Sequence, residues 1–123
     1  MTDRKTVLTV DDSRTIRDML LMALSQSGYR VLQAVDGVDG IEALRNEVPD
    51  AIITDINMPR LDGFGFIEQV REDERFRATP ILVLTTESEP AMKDRARAAG
   101  ATGWIIKPFH PEKLAASLRR VGV

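Results

Sequence analysis

Five short apolar runs divide the chain at intervals of roughly two dozen residues, and this rhythm limits the available folds more than any other feature. The runs are Thr6–Val10, Arg30–Val35, Ala51–Thr54, Ile81–Leu84 and Gly103–Ile106. Each is rich in Val, Ile, Leu or Thr and is bounded by Gly, Pro or Asp, the pattern of parallel strands buried on both faces. Helical patterns fill the gaps. The first places Ile16, Leu20, Ala23 and Leu24 on one stripe and stops at Gly28. The second carries Val38, Ile41 and Leu44, and the third Phe64, Ile67 and Val70. The fourth runs from about Pro90 to Ala99 and ends at Gly100; the fifth starts near Pro111 and carries Leu114 and Leu118. Met19 and Met22 read as packing residues of the first helix, whereas Arg14–Arg17 and Arg71–Arg77 read as solvated charged faces. Five βα units in succession predict a three-layer (βα)5 α/β domain, a doubly wound parallel sheet with helices on both faces. In such sheets the functional crevice lies beyond the carboxyl ends of the strands.

Composition narrows the function classes. A chain of 123 residues suits one domain, expected to cover residues 1–123 with a core over about 5–120. With 17 Lys and Arg against 19 Asp and Glu, the net charge of −2 argues against nucleic-acid binding. The absence of Cys excludes a disulfide scaffold, thiolate-bound zinc and a thiol nucleophile. No apolar run approaches the roughly 18 residues of a membrane span. Met1–Lys5 leads into a strand-like run rather than a signal core. The expectation is a cytoplasmic monomer with no membrane association.

The residues that follow the strands are unusual. Strand one ends in Asp11-Asp12, strand three in Asp55, strand four in Thr85 and strand five in Lys107. Strand two ends in Val35-Asp36-Gly37 and contributes only a turn, as a peripheral strand would. An isolated Asp after a strand is as readily a turn residue or helix cap. Three carboxylates converging on one sheet edge are different, because they repel and raise one another's pKa. A hard divalent cation removes that conflict, and an all-oxygen donor set favours Mg2+, with Mn2+ as the alternative. Mg2+ commonly binds phosphate oxygens, Lys107 can counter an incoming phosphoryl charge, and Thr85 can donate to one of its oxygens. An aspartate facing the metal is then the candidate nucleophile for an acyl phosphate.

Four motifs at these strand ends resemble the response-regulator receiver family, particularly its single-domain, CheY-like members. They are Val10-Asp11-Asp12-Ser13; Thr54-Asp55-Ile56-Asn57-Met58-Pro59 with Asp62-Gly63; Leu84-Thr85-Thr86-Glu87; and Lys107-Pro108-Phe109. The resemblance runs from about Lys5 to Leu118, in family order. It implies a flavodoxin-like, CheY-like sheet in strand order 2-1-3-4-5, the order for which CheY is itself a standard example. It implies Asp55 as phosphoacceptor, taking a phosphoryl group from a phosphohistidine on a CheA-like histidine kinase. Asp12 and Asp55 would ligate Mg2+ directly, Asp11 through a water, and Asn57 through its backbone carbonyl. Thr85 and Lys107 would engage the phosphoryl group, and the Lys107–Pro108 bond would be cis. Asn57 and Glu87 would tune phosphoryl lifetime.

Trp104 stands where the family carries an aromatic switch residue, more often Tyr or Phe. Thr86 is larger than the residue usual beside the switch Thr, so it would narrow access to Asp55 or limit how far Trp104 turns inward. His110, the one His, sits in a loop and reads as no phosphate carrier.

The resemblance implies a signalling phosphoprotein, catalysing only its own phosphorylation and dephosphorylation. Its output would be the surface of helix 4, strand 5 and helix 5, with no output domain attached and a FliM-like flagellar switch protein as target. A phosphate sink and a phosphorelay intermediate are the alternatives within this class. A Mg2+-dependent phosphohydrolase with an Asp nucleophile needs an acid/base two residues further on, where Asn57 stands. A flavin carrier of the same architecture would find Asp11-Asp12 repelling its phosphate.

Overall fold

A computed structural model describes residues 4–123, so the start of the chain, read above as lacking a signal core, lies outside the described residues. Five strands and five helices alternate: β1 Thr6–Val10, α1 Arg14–Gln26, β2 Arg30–Ala34, α2 Gly37–Ala43, β3 Ala51–Thr54, α3 Gly63–Glu72, β4 Ile81–Thr85, α4 Pro90–Ala99, β5 Gly103–Ile106 and α5 Pro111–Arg120. A single 3₁₀ turn, Glu74–Phe76, precedes β4. The sheet is wholly parallel, in the order β2-β1-β3-β4-β5. No helix of the described residues is long and apolar enough to cross a membrane.

Strand alternation builds two cores, one on each face. Leu8, Val10, Ile52, Ile81 and Val83 point to one side, where Phe64, Phe66, Ile67 and Val70 of α3 and Ala96 of α4 close over them. Val7, Ile53, Leu82 and Leu84 point to the other and meet Leu20 and Leu24 of α1 and Leu114 and Leu118 of α5. The central strands read as unbroken apolar runs because both their faces are covered. β2 lies at the sheet edge, and its residues are correspondingly less buried.

Register positions the site. Val10 lies beside Ala34 on one side and Thr54 on the other, so β1 and β3 end level. The ladder continues one step past both strands: the Asp55 N–H donates to the Val10 carbonyl at 3.0 Å, and the Asp11 N–H to the Ala34 carbonyl at 3.1 Å. At the other end Thr85 pairs with Ile106, and the Lys107 N–H donates to the Thr85 carbonyl at 2.8 Å. The Lys107–Pro108 peptide is cis, as expected.

Several expectations are corrected. Met19 and Met22 are 45% and 65% exposed rather than packed. At 100° per residue Met22 stands opposite Leu20, off the buried stripe that Leu20, Ala23 and Leu24 define. Val38 is likewise exposed, because it stands on the face of α2 away from the buried Gly37, Gly40 and Leu44. β2 ends at Ala34, one residue earlier than expected, and Val35 is exposed. Two arginines read as solvated are structural. Arg71 donates to the Gly100 carbonyl from Nε at 3.0 Å and Nη2 at 2.9 Å, and to the Phe76 carbonyl at 2.6 Å, tying α3 to the end of α4. Arg17 Nη1 donates to the Asp11 carbonyl at 2.8 Å and so holds the start of the β1–α1 loop.

Candidate functional site

Ser13, and neither aspartate before it, caps α1: its hydroxyl accepts from the Ile16 N–H at 3.3 Å. Asp11 is thereby released for another task. Its Oδ1 accepts from the Ser13 N–H at 2.9 Å, a local turn that fixes the carboxylate while Asp12 faces solvent. Asp55 is fixed similarly, with Oδ1 accepting from the Ile56 N–H at 2.6 Å. Asp11, Asp12 and Asp55 each bring a carboxylate oxygen within 4.8 Å of the others, and Asp11 and Asp55 are buried.

Lys107 reaches into this cluster from β5. Its ammonium donates to Asp11 Oδ2 at 2.9 Å and to Asp55 Oδ2 at 2.7 Å. Burial alone would depress the Lys107 ammonium, but the hydrogen bonds to Asp55 and Asp11 outweigh it and the net shift is upward. For Asp11 the balance falls the other way. Burial pushes its carboxyl up, and the Ser13 N–H and Lys107 only partly offset that. Both shifts are upward, yet they favour the charged form of Lys107 and disfavour that of Asp11, because one ammonium is shared by two carboxylates. Lys107 gains twice while Asp11 receives a share.

The cluster therefore carries more negative charge than Lys107 balances. Its donors are oxygens alone, and burial leaves Asp11 short of counter-charge, both of which fit Mg2+. Asp11, Asp12, Asp55 and the carbonyl of Asn57, two residues past Asp55, are the groups available to hold it.

A second group of residues meets at Glu87, just past β4. The Glu87 N–H donates to the Thr85 hydroxyl at 3.4 Å, and its side-chain Oε1 accepts from Asn57 Nδ2 at 3.1 Å. Its backbone carbonyl accepts from the Trp104 indole at 3.1 Å. Among the described residues, no hydrogen bond joins the Thr85 hydroxyl to Asp55 or to the Lys107 ammonium; the hydroxyl is fully buried and turned to Glu87. Thr86 and His110 are exposed. Trp104 lies half-buried in a groove between α4 and β5 that Lys93, Arg97 and Thr102 also line.

Sequence reading missed three contributors. Gly63 donates its N–H to the Ile56 carbonyl at 2.8 Å and closes the loop after Asp55; only the Asp62-Gly63 motif hinted at it. Asp36, read as a turn residue, is buried and forms an ion pair with Arg60, 24 positions away. No local pattern marks such a pair.

Comparison with known proteins agrees with this geometry. The response regulator receiver domain profile matches residues 7–119. The chain is 41% identical over 117 residues to the chemotaxis protein CheY1 of Helicobacter pylori, covering 94% of both chains. It spans less than half the length of other curated relatives that it matches. Among solved structures, the chemotaxis protein CheY4 of Vibrio cholerae superposes with a TM-score of 0.93 at 44% identity, covering 97% of this chain and 99% of that one. The receiver domain of a sensor histidine kinase from Pseudomonas aeruginosa PAO1, with a magnesium ion coordinated in its active-site cleft, superposes with a TM-score of 0.90 at 28% identity, covering 98% and 100%.

Proposed function

The chain belongs to the response regulator receiver domain family, and on that premise we propose that it is a phosphorylation-operated switch whose phosphoacceptor is Asp55. The observation that carries this reading is the convergence of Asp11, Asp12 and Asp55 with Lys107 at the carboxyl edge of the sheet. The donor is a phosphohistidine of a histidine kinase. A carboxylate oxygen of Asp55 attacks phosphorus, the P–N bond breaks as the P–O bond forms, and the imidazole leaves with a proton from solvent. Mg2+, or Mn2+ in its place, supplies charge screening among the carboxylates and the phosphoryl oxygens when bound.

The chain's own residues do the rest. Asp12, Asp55 and the Asn57 carbonyl would hold the cation, with Asp11 acting through a water. Lys107, already in contact with Asp55 Oδ2, pairs with the added phosphoryl charge. The Thr85 hydroxyl leaves the Glu87 N–H to donate to a phosphoryl oxygen. Glu87 also holds the Trp104 indole and the Asn57 side chain, so its release reshapes the α4–β5–α5 face. This is a local electrostatic event biasing two conformations. Asn57 and Glu87 tune the lifetime of the acyl phosphate by closing over it.

The output is contact with a protein partner, and the likeness to CheY1 and CheY4 supports chemotaxis with a CheA-like kinase and a FliM-like flagellar switch target. Asn57 cannot exchange protons as a phosphohydrolase would need at that position, so turnover of external esters is not expected. Asp55→Ala should lose the hydroxylamine-labile label that a small phosphodonor and Mg2+ place on the wild type; stoichiometric labelling of the variant would overturn the assignment. Capture by a flagellar switch peptide only in the presence of phosphodonor separates motor control from a phosphate sink or relay.

A further inference from the structure

Arg60 is the one non-glycine residue with positive φ among the described residues, at 66°. The Leu61 N–H donates to the Pro59 carbonyl at 2.7 Å, closing a three-residue turn centred on Arg60, a rare and strained arrangement. Something must hold it, and Asp36 does. Arg60 Nε donates to Asp36 Oδ2 at 2.6 Å and Nη2 to Oδ1 at 3.0 Å, a two-pronged ionic fork. Asp36 is itself buried and bonded: its side chain is 4% exposed, and Oδ1 also caps α2 by accepting from the Asp39 N–H at 2.9 Å. The grip is doubled next door, where the Gly37 N–H donates to the Leu61 carbonyl at 3.2 Å. A Cβ at Gly37 would sit 2.5 Å from that oxygen, so the two loops touch backbone to backbone.

The segment so held is the loop that leaves Asp55. The Gly63–Ile56 hydrogen bond pins its base, and Arg60–Asp36 pins its far side. Asn57 lies between the two clamps. We infer that Asp36 and Arg60 are positioning residues for cation binding: their ion pair keeps the Arg60 turn wound and thereby sets the Asn57 carbonyl where a divalent cation needs it. Without the fork, Arg60 relaxes toward negative φ, the Pro59–Arg60 segment swings, and the Asn57 carbonyl loses its fixed direction. The nearby charges agree with this arrangement. Asp39 lies beside Asp36 but bonds to the Val35 N–H at 3.0 Å, leaving Asp36 to Arg60. This inference rests on the proposed cation site and adds residues that touch neither cation nor phosphoryl group.

Mg2+ titration of the full chain, followed by Trp104 emission and by the Mg2+-dependent rise in melting temperature, tests it. Arg60→Ala and Asp36→Asn should each weaken Mg2+ binding about 10-fold, the usual loss when a ligand's outer support is removed. Asn at position 36 keeps the α2 cap, so folding is preserved. Labelling by a small phosphodonor should slow at low Mg2+ and return to the wild-type rate at saturating Mg2+. Arg60→Gly, which tolerates the turn but lacks the fork, should also bind Mg2+ more weakly. Unchanged affinity in Arg60→Ala overturns the inference, as does wild-type affinity in Arg60→Gly or a labelling rate that saturating Mg2+ does not restore. Failure of the underlying reading shows separately, as a wild-type chain that neither binds Mg2+ nor takes the label.

Discussion

The indole of Trp104 donates to the backbone carbonyl of Glu87 at 3.1 Å, tying the aromatic residue of β5 to the loop that follows β4. The same Glu87 gives its N–H to Thr85 and its carboxylate to Asn57, so the candidate phosphoryl site and the α4–β5 groove share a single intermediary. A phenol at position 104 can both donate and accept; an indole only donates. In this chain the aromatic residue is therefore committed to a carbonyl acceptor.

Trp104→Phe keeps a ring in the groove and removes the donor. The expected cost is about 0.5–1.5 kcal/mol, the net worth of one hydrogen bond, measured by urea denaturation. Labelling of Asp55 should be unchanged, because Trp104 touches none of the carboxylates. Trp104 is the only Trp, so its emission in the wild type should change on addition of Mg2+ and phosphodonor, and stay constant on phosphodonor addition in Mg2+-loaded Asp55→Ala. A shift in that variant would detach the aromatic residue from the phosphorylation state.

The pH dependence follows from two upward shifts, at Asp11 and at Lys107, that act on stability with opposite sign. A carboxyl raised above its ordinary 3.8 in the folded chain favours folding when protonated, so ionised Asp11 opposes the fold at neutral pH. Asp11→Asn should be more stable than wild type at pH 7, and the difference should vanish as pH falls below about 3.8. Lys107, raised above 10.5, stabilises below that value, and its contribution is lost as pH rises through its higher folded pKa. Lys107→Met leaves Asp11 and Asp55 without their cation and should cost about 3 kcal/mol at pH 7, narrowing as Asp11 protonates. Urea denaturation across pH 3–8 in the absence of divalent cations reads both variants; a stability deficit in Asp11→Asn at pH 7 would contradict the assignment.

The strands and their terminal residues were legible because a buried parallel strand writes itself as an apolar run, and its first polar residue falls at the sheet edge. Bringing Asp11, Asp55 and Lys107 together also takes the strand order 2-1-3-4-5, which only the resemblance implies, and a Lys107 side chain long enough to reach past β4. Legibility failed where an interaction joins residues far apart in sequence. Arg71 looked like part of a mixed-charge surface, and only the approach of α4 gives it the Gly100 carbonyl, 29 positions away. Arg60 and Asp36 are silent for the same reason. Met19 and Met22 are a different case: the spacing of Ile16, Leu20, Ala23 and Leu24 places Met22 opposite the stripe and Met19 only at its margin, beside Ala23. Exposed apolar side chains are common on folded surfaces, so hydrophobicity without phase does not locate a core.

Asp12 is the exposed member of the acidic cluster, so on the proposed reading its contribution comes through the cation. Without Mg2+, Asp12→Ala should keep wild-type stability within about 0.5 kcal/mol, as surface substitutions usually do. With Mg2+ at 100 times the dissociation constant, the wild type should gain about 2.7 kcal/mol by mass action and the variant far less. Thermal melts with and without Mg2+ measure this, and an equal gain in Asp12→Ala would remove Asp12 from the ligand set.

Gly63 sets how closely α3 can approach the backbone of Asp55. A Cβ there would lie 2.3 Å from the Asp55 carbonyl oxygen and 2.7 Å from the Ile56 Cα, and backbone atoms cannot turn aside as a side chain can. Gly63→Ala must therefore push α3 outward or displace Asp55, and either movement stretches the Gly63–Ile56 hydrogen bond that closes the loop. Overpacking of this kind costs about 1–3 kcal/mol, and labelling of Asp55, the proposed phosphoacceptor, should slow as well, because the displaced carbonyl is its own. Gly28→Ala is the control. Gly28 has φ of +90°, and a Cβ added there would meet nothing within 4 Å, so its substitution strains the chain without crowding it. It should lower the melting temperature while leaving the labelling rate untouched. If Gly63→Ala lowered stability with no effect on labelling, the close approach of α3 would be a packing contact only, with no hold on the position of Asp55.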